Sequence, residues 1–451
     1  MKYHLVTLGC PKNAVDSEGM DGILADAGHT PVATAAEADL IVVNTCSFIA
    51  AARAESLAVL HALGETKRAG QQIIAAGCMA ASHGPELAAI PGVNQLLSTQ
   101  QWMQIGMLVG ERTTNSGTQV PVLSLEPAPK GYADWRTAQI RRTAQTPSAY
   151  LKIGDGCNLH CAFCTIPSFK GTLASKPIGA VLAEAQELVA LGVREIVLVA
   201  QHLTDYGRDL GLEDGLATLL DALCAVLPTH VWVRLMYAYP HGITERLIEV
   251  MATHPQICHY LDMPLQHAHP ATLRRMHRPA DTARTLSLIG TLRAAMPDLA
   301  LRSTFIVGFP GETTEEYRAL LAFLEAAQLD RVGAFRFSPE PGTHAASLPD
   351  QVRPQVLEKR WHELMQLQRR ISNTRTGHWL GRTLPVLIEG HGTAAGRPVA
   401  VGRSFRDAPE IDGQVFVWGQ PPVGTMLPVH ITRTTDYDLW GEVAEPIADS
   451  R

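Results

Sequence analysis

The chain has eight cysteines, and six of them form two groups of three. Cys157, Cys161 and Cys164 lie close together with the spacing C-x-x-x-C-x-x-C. Thiolates at this spacing can hold one metal centre, and three ligands fit an iron–sulfur cluster that keeps one iron free. A structural zinc site normally needs a fourth ligand. Zinc and cysteines buried as small apolar side chains are the alternatives at this stage.

The other three, Cys10, Cys46 and Cys78, are spread over the first eighty residues, and each cysteine follows a predicted strand. These strands are predicted at residues 3–9, 40–44 and 72–77, with helices at 14–27 and 50–63. The alternation predicts a parallel α/β sheet. The loops at the carboxyl ends of parallel strands converge on one crevice, so we expect the three thiols to meet there. The alternative is that each is a buried core side chain.

A more regular βα rhythm begins at residue 148. Helical stretches separate six predicted strands, at residues 148–154, 195–200, 231–237, 259–263, 299–308 and 332–338. Six such units predict a partial (β/α)6 barrel, two strands short of the full eight. The Cys157 loop follows the first of these strands, at the end where barrels of this type place their active sites.

After these units, the alternation of strands and helices ends. A long helix is predicted at 350–376, followed by five short strands broken by Gly and Pro at 383–389, 398–404, 414–418, 426–434 and 438–443. These strands predict a small antiparallel β-barrel. We therefore expect domains at 1–135, 143–375 and 376–445, with a linker within 100–145 that is rich in Ser, Thr, Gly and Pro.

Composition restricts the class of protein. The 451 residues are 46% hydrophobic with a net charge of -6, which fits a multidomain globular protein and gives no sign of a general affinity for nucleic acid or anionic membranes. No apolar run reaches the length of a membrane-spanning helix. Eight cysteines in a chain of this size favour metal or redox chemistry in a reducing compartment over a disulfide framework. We expect a cytoplasmic protein without a membrane partner.

The three-cysteine loop, with Phe163 before its last cysteine, resembles the radical S-adenosylmethionine superfamily. The resemblance implies that the free iron of a 4Fe-4S cluster binds S-adenosylmethionine. It also implies that an electron then cleaves this cofactor to a 5'-deoxyadenosyl radical. Such a radical can abstract hydrogen from an unactivated carbon, which no side-chain base can do.

Both cysteine groups together, with a terminal barrel of the TRAM type, resemble the methylthiotransferases within that superfamily. The resemblance implies that Cys10, Cys46 and Cys78 hold a second 4Fe-4S cluster that delivers sulfur. Segments 8–13 (LGCPKN) and 15–18 (VDSE) resemble the branch that modifies an aspartate β-carbon of small-subunit ribosomal protein S12. Segments that also fit the family are 155–158, 166–171, 264–267 and 304–312. Ser82 and Ala200 depart from its pattern, where Arg and Gly are common.

The resemblance further implies an electron donor such as flavodoxin or ferredoxin, and a sulfur donor. No catalytic side chain beyond the cluster ligands is predicted. Five residues are candidates for the S-adenosylmethionine pocket, each with packing or a structural ion pair as the alternative: Phe163, Gln201, Arg234, Gln266 and Arg302. Cys224 and Cys258 are predicted to be core thiols.

Two other functions share parts of this pattern: a tRNA-adenosine methylthiotransferase of the same architecture, and a non-catalytic iron–sulfur RNA-binding or sensor protein. From residue 376 to the end there are six Arg, no Lys and nine acidic residues, a net charge of -3. Gripping tRNA phosphates requires a surplus of Lys and Arg. The acidic barrel therefore favours a basic protein partner over tRNA, with candidate contacts at Glu410, Asp412, Asp436 and Asp438.

Overall fold

The computed structural model of the protein describes residues 1–110, 134–138, 141–142 and 146–444. The predicted linker lies largely outside these ranges. Among the described residues, no helix combines the length and hydrophobicity needed to cross a bilayer.

The first sheet is parallel throughout and has the strand order β2-β1-β3-β4-β5. Every residue of β3 is buried, as expected for an apolar strand covered on both faces. The predicted strands are confirmed to within two residues at either end. The strands are β1 (Lys2–Thr7), β2 (Thr30–Pro31), β3 (Leu40–Thr45), β4 (Gln72–Gly77) and β5 (Gln95–Ser98). The helices are α1 (Pro11–Asp26), α2 (Ala50–Glu65), α3 (Cys78–Ser82), α4 (Gly84–Ala88) and α5 (Ile105–Gly110).

The central sheet has six parallel strands in the order β13-β12-β11-β10-β9-β6, and these are the six predicted strands. The first of them is shorter than predicted, because the chain leaves the sheet at Lys152 and forms a small antiparallel hairpin between β7 and β8. The strands are β6 (Ser148–Lys152), β7 (Gly154–Asp155), β8 (Ala174–Ser175), β9 (Glu195–Val199), β10 (Trp232–Leu235), β11 (Ile257–Asp262), β12 (Ala300–Val307) and β13 (Arg331–Arg336).

Helices alternate with these strands and cover one face of the central sheet in a single large apolar core. They are α6 (Ile166–Lys170), α7 (Ile178–Ala190), α8 (Gly215–Val226), α9 (Glu245–Thr253), α10 (Pro270–Arg275), α11 (Thr282–Ala295), α12 (Thr314–Ala327) and α13 (Pro354–Gly377). The long terminal helix α13 begins at Pro354, since proline fits the first turn of a helix. Cys224 and Cys258 are buried, as predicted.

The last five strands form a closed barrel in the order β14-β15-β16-β18-β17. The prediction of an all-antiparallel barrel needs one correction, because β16 and β18 pair in parallel. This follows from the chain path: β17 pairs with β14, and β18 then fills the gap between β17 and β16. The strands are β14 (Thr383–Ala394), β15 (Arg397–Ser404), β16 (Val415–Trp418), β17 (Met426–Thr434) and β18 (Leu439–Val443).

The barrel packs against the face of the central sheet that the helices leave open. Apolar side chains of both parts, including Val197 and Leu387, share one core cluster there. Glu195 lies at the centre of the contact, fully buried and paired with Arg234 and Arg403. These two guanidiniums hold the pKa of Glu195 at about 2, against the burial that would raise it. The ion pairs join the barrel to the sheet.

Candidate functional site

The first cysteine group, in the N-terminal third of the chain, lies at the carboxyl edge of the N-terminal sheet, as predicted. Cys46 follows β3 directly, Cys78 follows β4 directly, and Cys10 comes just after β1. Gly9 has a φ of +92°, and a Cβ at this position would lie 2.6 Å from the Cβ of Cys46. Glycine therefore allows the loop that carries Cys10 to pass against Cys46.

Asn13 holds the three loops of this group together. Its amide Nδ2 donates to the carbonyls of Leu8 and Thr45, each at 3.0 Å. Its Oδ1 accepts from the Cys78 thiol at 3.6 Å. One buried side chain thus contacts the ends of β1, β3 and β4. Sequence alone indicates no role for Asn13; its position three residues after Cys10, at the start of a predicted helix, is the one signal that points to it.

The second cysteine group lies on the loop that follows β7. The Cys157 N–H donates to the Gly171 carbonyl at 3.1 Å, and the Cys164 N–H donates to the Cys161 carbonyl at 3.1 Å. Asn158 Oδ1 accepts from the Leu173 N–H, also at 3.1 Å. These bonds wrap the loop around its three sulfurs at the carboxyl end of the central sheet.

Burial raises the pKa of several thiols in the two groups. The pKa of Cys78 and that of Cys164 are each raised to about 12, and those of Cys46 and Cys157 are also raised. Metal binding would displace these protons, because the thiolate is the ligand. In the described residues, no three His, Cys, Asp or Glu side chains converge as around a single metal ion. Each thiolate of a 4Fe-4S cluster binds a different iron, so two sets of three cysteines fit that larger group.

Buried ion pairs join the N-terminal part of the chain to the central sheet beside the loops that carry the cysteines. Asp16 on α1 forms an ion pair with Lys152 on β6 and lies 3.6 Å from Lys170 at the end of α6. Lys170 also binds Asp155 at 3.0 Å. Burial alone would raise the pKa of Asp155, but Lys170 and Lys152 hold it below its usual value. Four buried charges therefore seal this interface beside both sites.

Replacing Asp16 with Asn is expected to destabilise the full chain by roughly 2–4 kcal/mol, because the buried Lys152 loses its nearer carboxylate and keeps only Asp155, at 3.4 Å. Both side chains of the Asp16–Lys152 pair are at most 3% exposed. Chemical denaturation followed by circular dichroism measures the loss.

The matched control is Asp221→Asn, which weakens exposed contacts of Asp221 with Arg246 at 3.2 Å and with His254 at 2.9 Å. It should cost less than about 1 kcal/mol. Equal losses for the two variants would contradict the account of the sealed interface.

Two further residues at the site were not found from sequence. The Lys12 ammonium lies 4.1 Å from the ring centroid of Tyr237, at the end of β10, and joins the first cysteine loop to the central sheet. His202, after β9, is 7% exposed, and neither ring nitrogen has a hydrogen-bond partner among the described residues. Burial lowers the pKa of His202 to about 4. The surroundings of Lys12 and His202 are formed by segments that are distant in sequence, so no local sequence pattern indicates them.

Three predicted pocket residues lie near the second cysteine group. Gln201 donates through Nε2 to Asp155 at 2.5 Å, while its Oε1 is buried and has no partner in the described part of the chain. Gln266 has a positive φ of 70°, and its backbone bridges to Phe305 on β12. Phe163 packs against an apolar cluster that includes Phe309.

The two predicted pocket arginines occupy different surroundings. Arg234 is fully buried, pairs with Glu195 at 2.6 Å and donates to the Phe405 carbonyl of the barrel at 2.6 Å. Arg234 therefore forms a structural ion pair, which is the alternative to its predicted place in the ligand pocket. Arg302 pairs with Asp262 at 2.9 Å and lies 3.5 Å from Asp412. Its side chain keeps 14% exposure.

Three family models match separate parts of the chain. Residues 2–98 match the uncharacterized protein family UPF0004, residues 151–324 the radical SAM superfamily, and residues 380–444 the TRAM domain. The structure of the radical S-adenosylmethionine methyltransferase TsrM from Kitasatospora setae aligns with a TM-score of 0.57 at 14% identity. It covers 76% of this chain and 73% of TsrM, and it shows a shared fold. Fold and family matches together define a radical S-adenosylmethionine enzyme with a C-terminal TRAM domain.

Two relatives show to which branch of this class the chain belongs. A ribosomal protein uS12 methylthiotransferase RimO from Chloroflexus aurantiacus is 70% identical, over 98% of this chain and 99% of the relative. Another, from a Roseiflexus species, is 64% identical over 100% of this chain and 98% of the relative. This chain belongs to the RimO family of ribosomal protein uS12 methylthiotransferases. Membership implies an iron–sulfur cluster and S-adenosylmethionine as cofactors.

Proposed function

We propose that this chain methylthiolates an aspartate β-carbon of ribosomal protein uS12. The observation that carries the proposal is the placement of each three-cysteine group at the carboxyl edge of its own sheet, with buried ion pairs joining the two parts, in a chain of the RimO family. One group would hold the radical-generating cluster and the other the sulfur-delivering cluster. The predicted reductant, sulfur donor and cytoplasmic location stay predictions.

The chain's own residues would hold the two clusters, exclude water and contact S-adenosylmethionine. Cys157, Cys161 and Cys164 would hold a 4Fe-4S cluster whose free iron takes S-adenosylmethionine, while Cys10, Cys46 and Cys78 would hold a second cluster. When bound, the radical-generating cluster and S-adenosylmethionine supply a 5'-deoxyadenosyl radical, and a second S-adenosylmethionine supplies the methyl group. The buried pairs around Asp16 and Asp155 exclude water from the space between the sites, which protects reactive chemistry there. Gln201 and Gln266 are proposed to contact S-adenosylmethionine.

Reconstituted protein should contain about eight irons per chain, because each group would hold a four-iron cluster. The content should fall to about four when either group is changed to Ala. Iron and acid-labile sulfide assays measure this directly. A wild-type value near four would contradict the second cluster.

The test of substrate choice is a strain that lacks this chain. Mass spectrometry should show uS12 without its methylthio group in that strain, and the group should return on complementation. Nucleosides of tRNA, analysed from the same cells, should not change. Loss of a methylthiolated tRNA adenosine with unaltered uS12 would establish the alternative substrate instead.

The acidic barrel is proposed to attract the basic substrate, but the structure changes which residues serve as probes. Asp412 is 1% exposed at its side chain and accepts from Tyr260 at 2.6 Å. Asp436 pairs with Arg369, and Asp438 accepts from the Gln414 N–H at 3.0 Å. These three hold the fold together, so their reversal would test stability. Two exposed acidic residues remain as probes, Glu410 and Glu442.

Reversing Glu410 and Glu442 to Lys is expected to slow association with uS12 about tenfold at low ionic strength, since steering depends on long-range charge. The difference should shrink as salt reduces the Debye length from about 10 Å toward about 3 Å. Stopped-flow or surface-based binding kinetics measure it.

The control is the reversal of Glu249 and Glu325, exposed residues on helices α9 and α12, which changes the net charge equally. It should leave association close to wild type. Substrate-free cleavage of S-adenosylmethionine should not change in either double variant. Equal slowing by both would mean that net charge alone, and not the barrel surface, sets the rate.

A further inference from the structure

The segment after helix α10 contacts the second cysteine loop through three consecutive residues. The Met276 carbonyl accepts from the Ala162 N–H at 3.0 Å. The ring of His277 hydrogen-bonds the His160 carbonyl at 3.1 Å, and His277 adopts a positive φ of 56°. Arg278 completes the series by reaching a cysteine sulfur.

The Arg278 guanidinium lies between Cys161 and Tyr239. Its Nη1 donates to the Cys161 sulfur at 3.8 Å, and its Nη2 donates to the Pro264 carbonyl. The guanidinium carbon lies 4.2 Å from the ring centroid of Tyr239, which fixes the plane of the group. The Nε atom is buried and has no hydrogen-bond partner among the described residues. The side chain is thus held in place with one N–H directed at a cluster ligand.

The charge of Arg278 acts on the other cysteines of the group as well. Burial raises the pKa of Cys157 and that of Cys164, and the positive charge of Arg278 opposes this rise at both. No carboxylate forms an ion pair with Arg278 in the described part of the chain. Its charge is therefore not neutralised by a direct partner beside the three sulfurs.

We propose that Arg278 is a positioning residue that raises the reduction potential of the cluster on Cys157, Cys161 and Cys164. Reduction adds one electron to the cluster and breaks no bond, so the reduced form carries one more negative charge. A cationic N–H donor at a ligand sulfur stabilises that form, since hydrogen bonds and charge near the sulfurs set cluster potentials. This inference rests on the proposed function, because it requires the cluster at these cysteines.

The experiment is a redox titration of the reconstituted full chain with dithionite, followed by electron paramagnetic resonance. The radical-cluster signal is identified as the one that Cys157→Ala removes. Arg278→Met should lower the equilibrium constant for reduction about tenfold, which is about 59 mV for a one-electron couple. Arg278→Lys, which keeps the charge, should recover part of the shift.

The matched control is Arg274→Met, which removes an exposed charge from helix α10, just before this segment. Its potential should equal that of wild type. An unchanged potential in Arg278→Met would overturn the inference, as would loss of iron in both Arg278 variants, which would make the residue a support of the loop alone. Absence of the Cys157-dependent signal in wild-type protein would instead contradict the proposed function.

Discussion

Replacing Cys157, Cys161 or Cys164 with Ala is expected to reduce S-adenosylmethionine cleavage to background. Three cysteines leave one iron of a 4Fe-4S cluster for the cofactor, so the loss of any one of them removes a ligand that the cluster needs. His160, the other ligand type within the loop, is exposed and engages Arg278's segment through its carbonyl. Formation of 5'-deoxyadenosine by reduced, reconstituted protein, quantified by liquid chromatography, is the measurement.

Cys224→Ala is the matched control for this series. Cys224 is a buried thiol on helix α8, within the apolar core of the central sheet. Its loss should leave cleavage and iron content unchanged. Cleavage at wild-type rate in any of the three loop variants would contradict the assignment of this cluster.

Replacing Cys10, Cys46 and Cys78 with Ala is expected to separate cleavage from sulfur transfer. These variants should still form 5'-deoxyadenosine, because their cysteines lie on another sheet from the radical loop. They should yield no methylthiolated uS12, since the cluster that delivers sulfur would be lost. Both products are measured in the same reaction by liquid chromatography and protein mass spectrometry.

The second cysteine series has two contradicting outcomes. Methylthiolated product from the variant that lacks Cys10, Cys46 and Cys78 would show that these cysteines take no part in sulfur transfer. Loss of 5'-deoxyadenosine formation as well would mean that the two sites cannot function independently. The Asp16→Asn variant separates these cases, because it weakens the interface between the sites without removing a cysteine.

The strands and both cysteine groups could be predicted because their signals are local. Apolar runs such as β3 define buried parallel strands, and cysteines placed just after such strands must meet at one edge of the sheet. The order of six βα units likewise determined the central fold. For these features, short segments of sequence contained enough information.

Features that depend on how domains pack could not be predicted in this way. The alternation of β10 shows which face Arg234 occupies, but only the docked barrel shows that carbonyls of residues 404 and 405 cover it. For the same reason, sequence alone predicts a surface charge at Asp412, whereas the structure buries it against Tyr260 of the central sheet. The contact of Arg278 with Cys161 joins residues 117 positions apart. No periodicity indicates such pairs.

The central claim is tested most directly in one reaction that contains both possible substrates. Reduced, reconstituted enzyme is incubated with S-adenosylmethionine, a sulfide source, and equal amounts of purified uS12 and tRNA. The account predicts that uS12 gains the mass of a methylthio group in place of one hydrogen, located by fragmentation on an aspartate, while tRNA nucleosides do not change. Methylthiolated adenosine in the tRNA, with unmodified uS12, would contradict it.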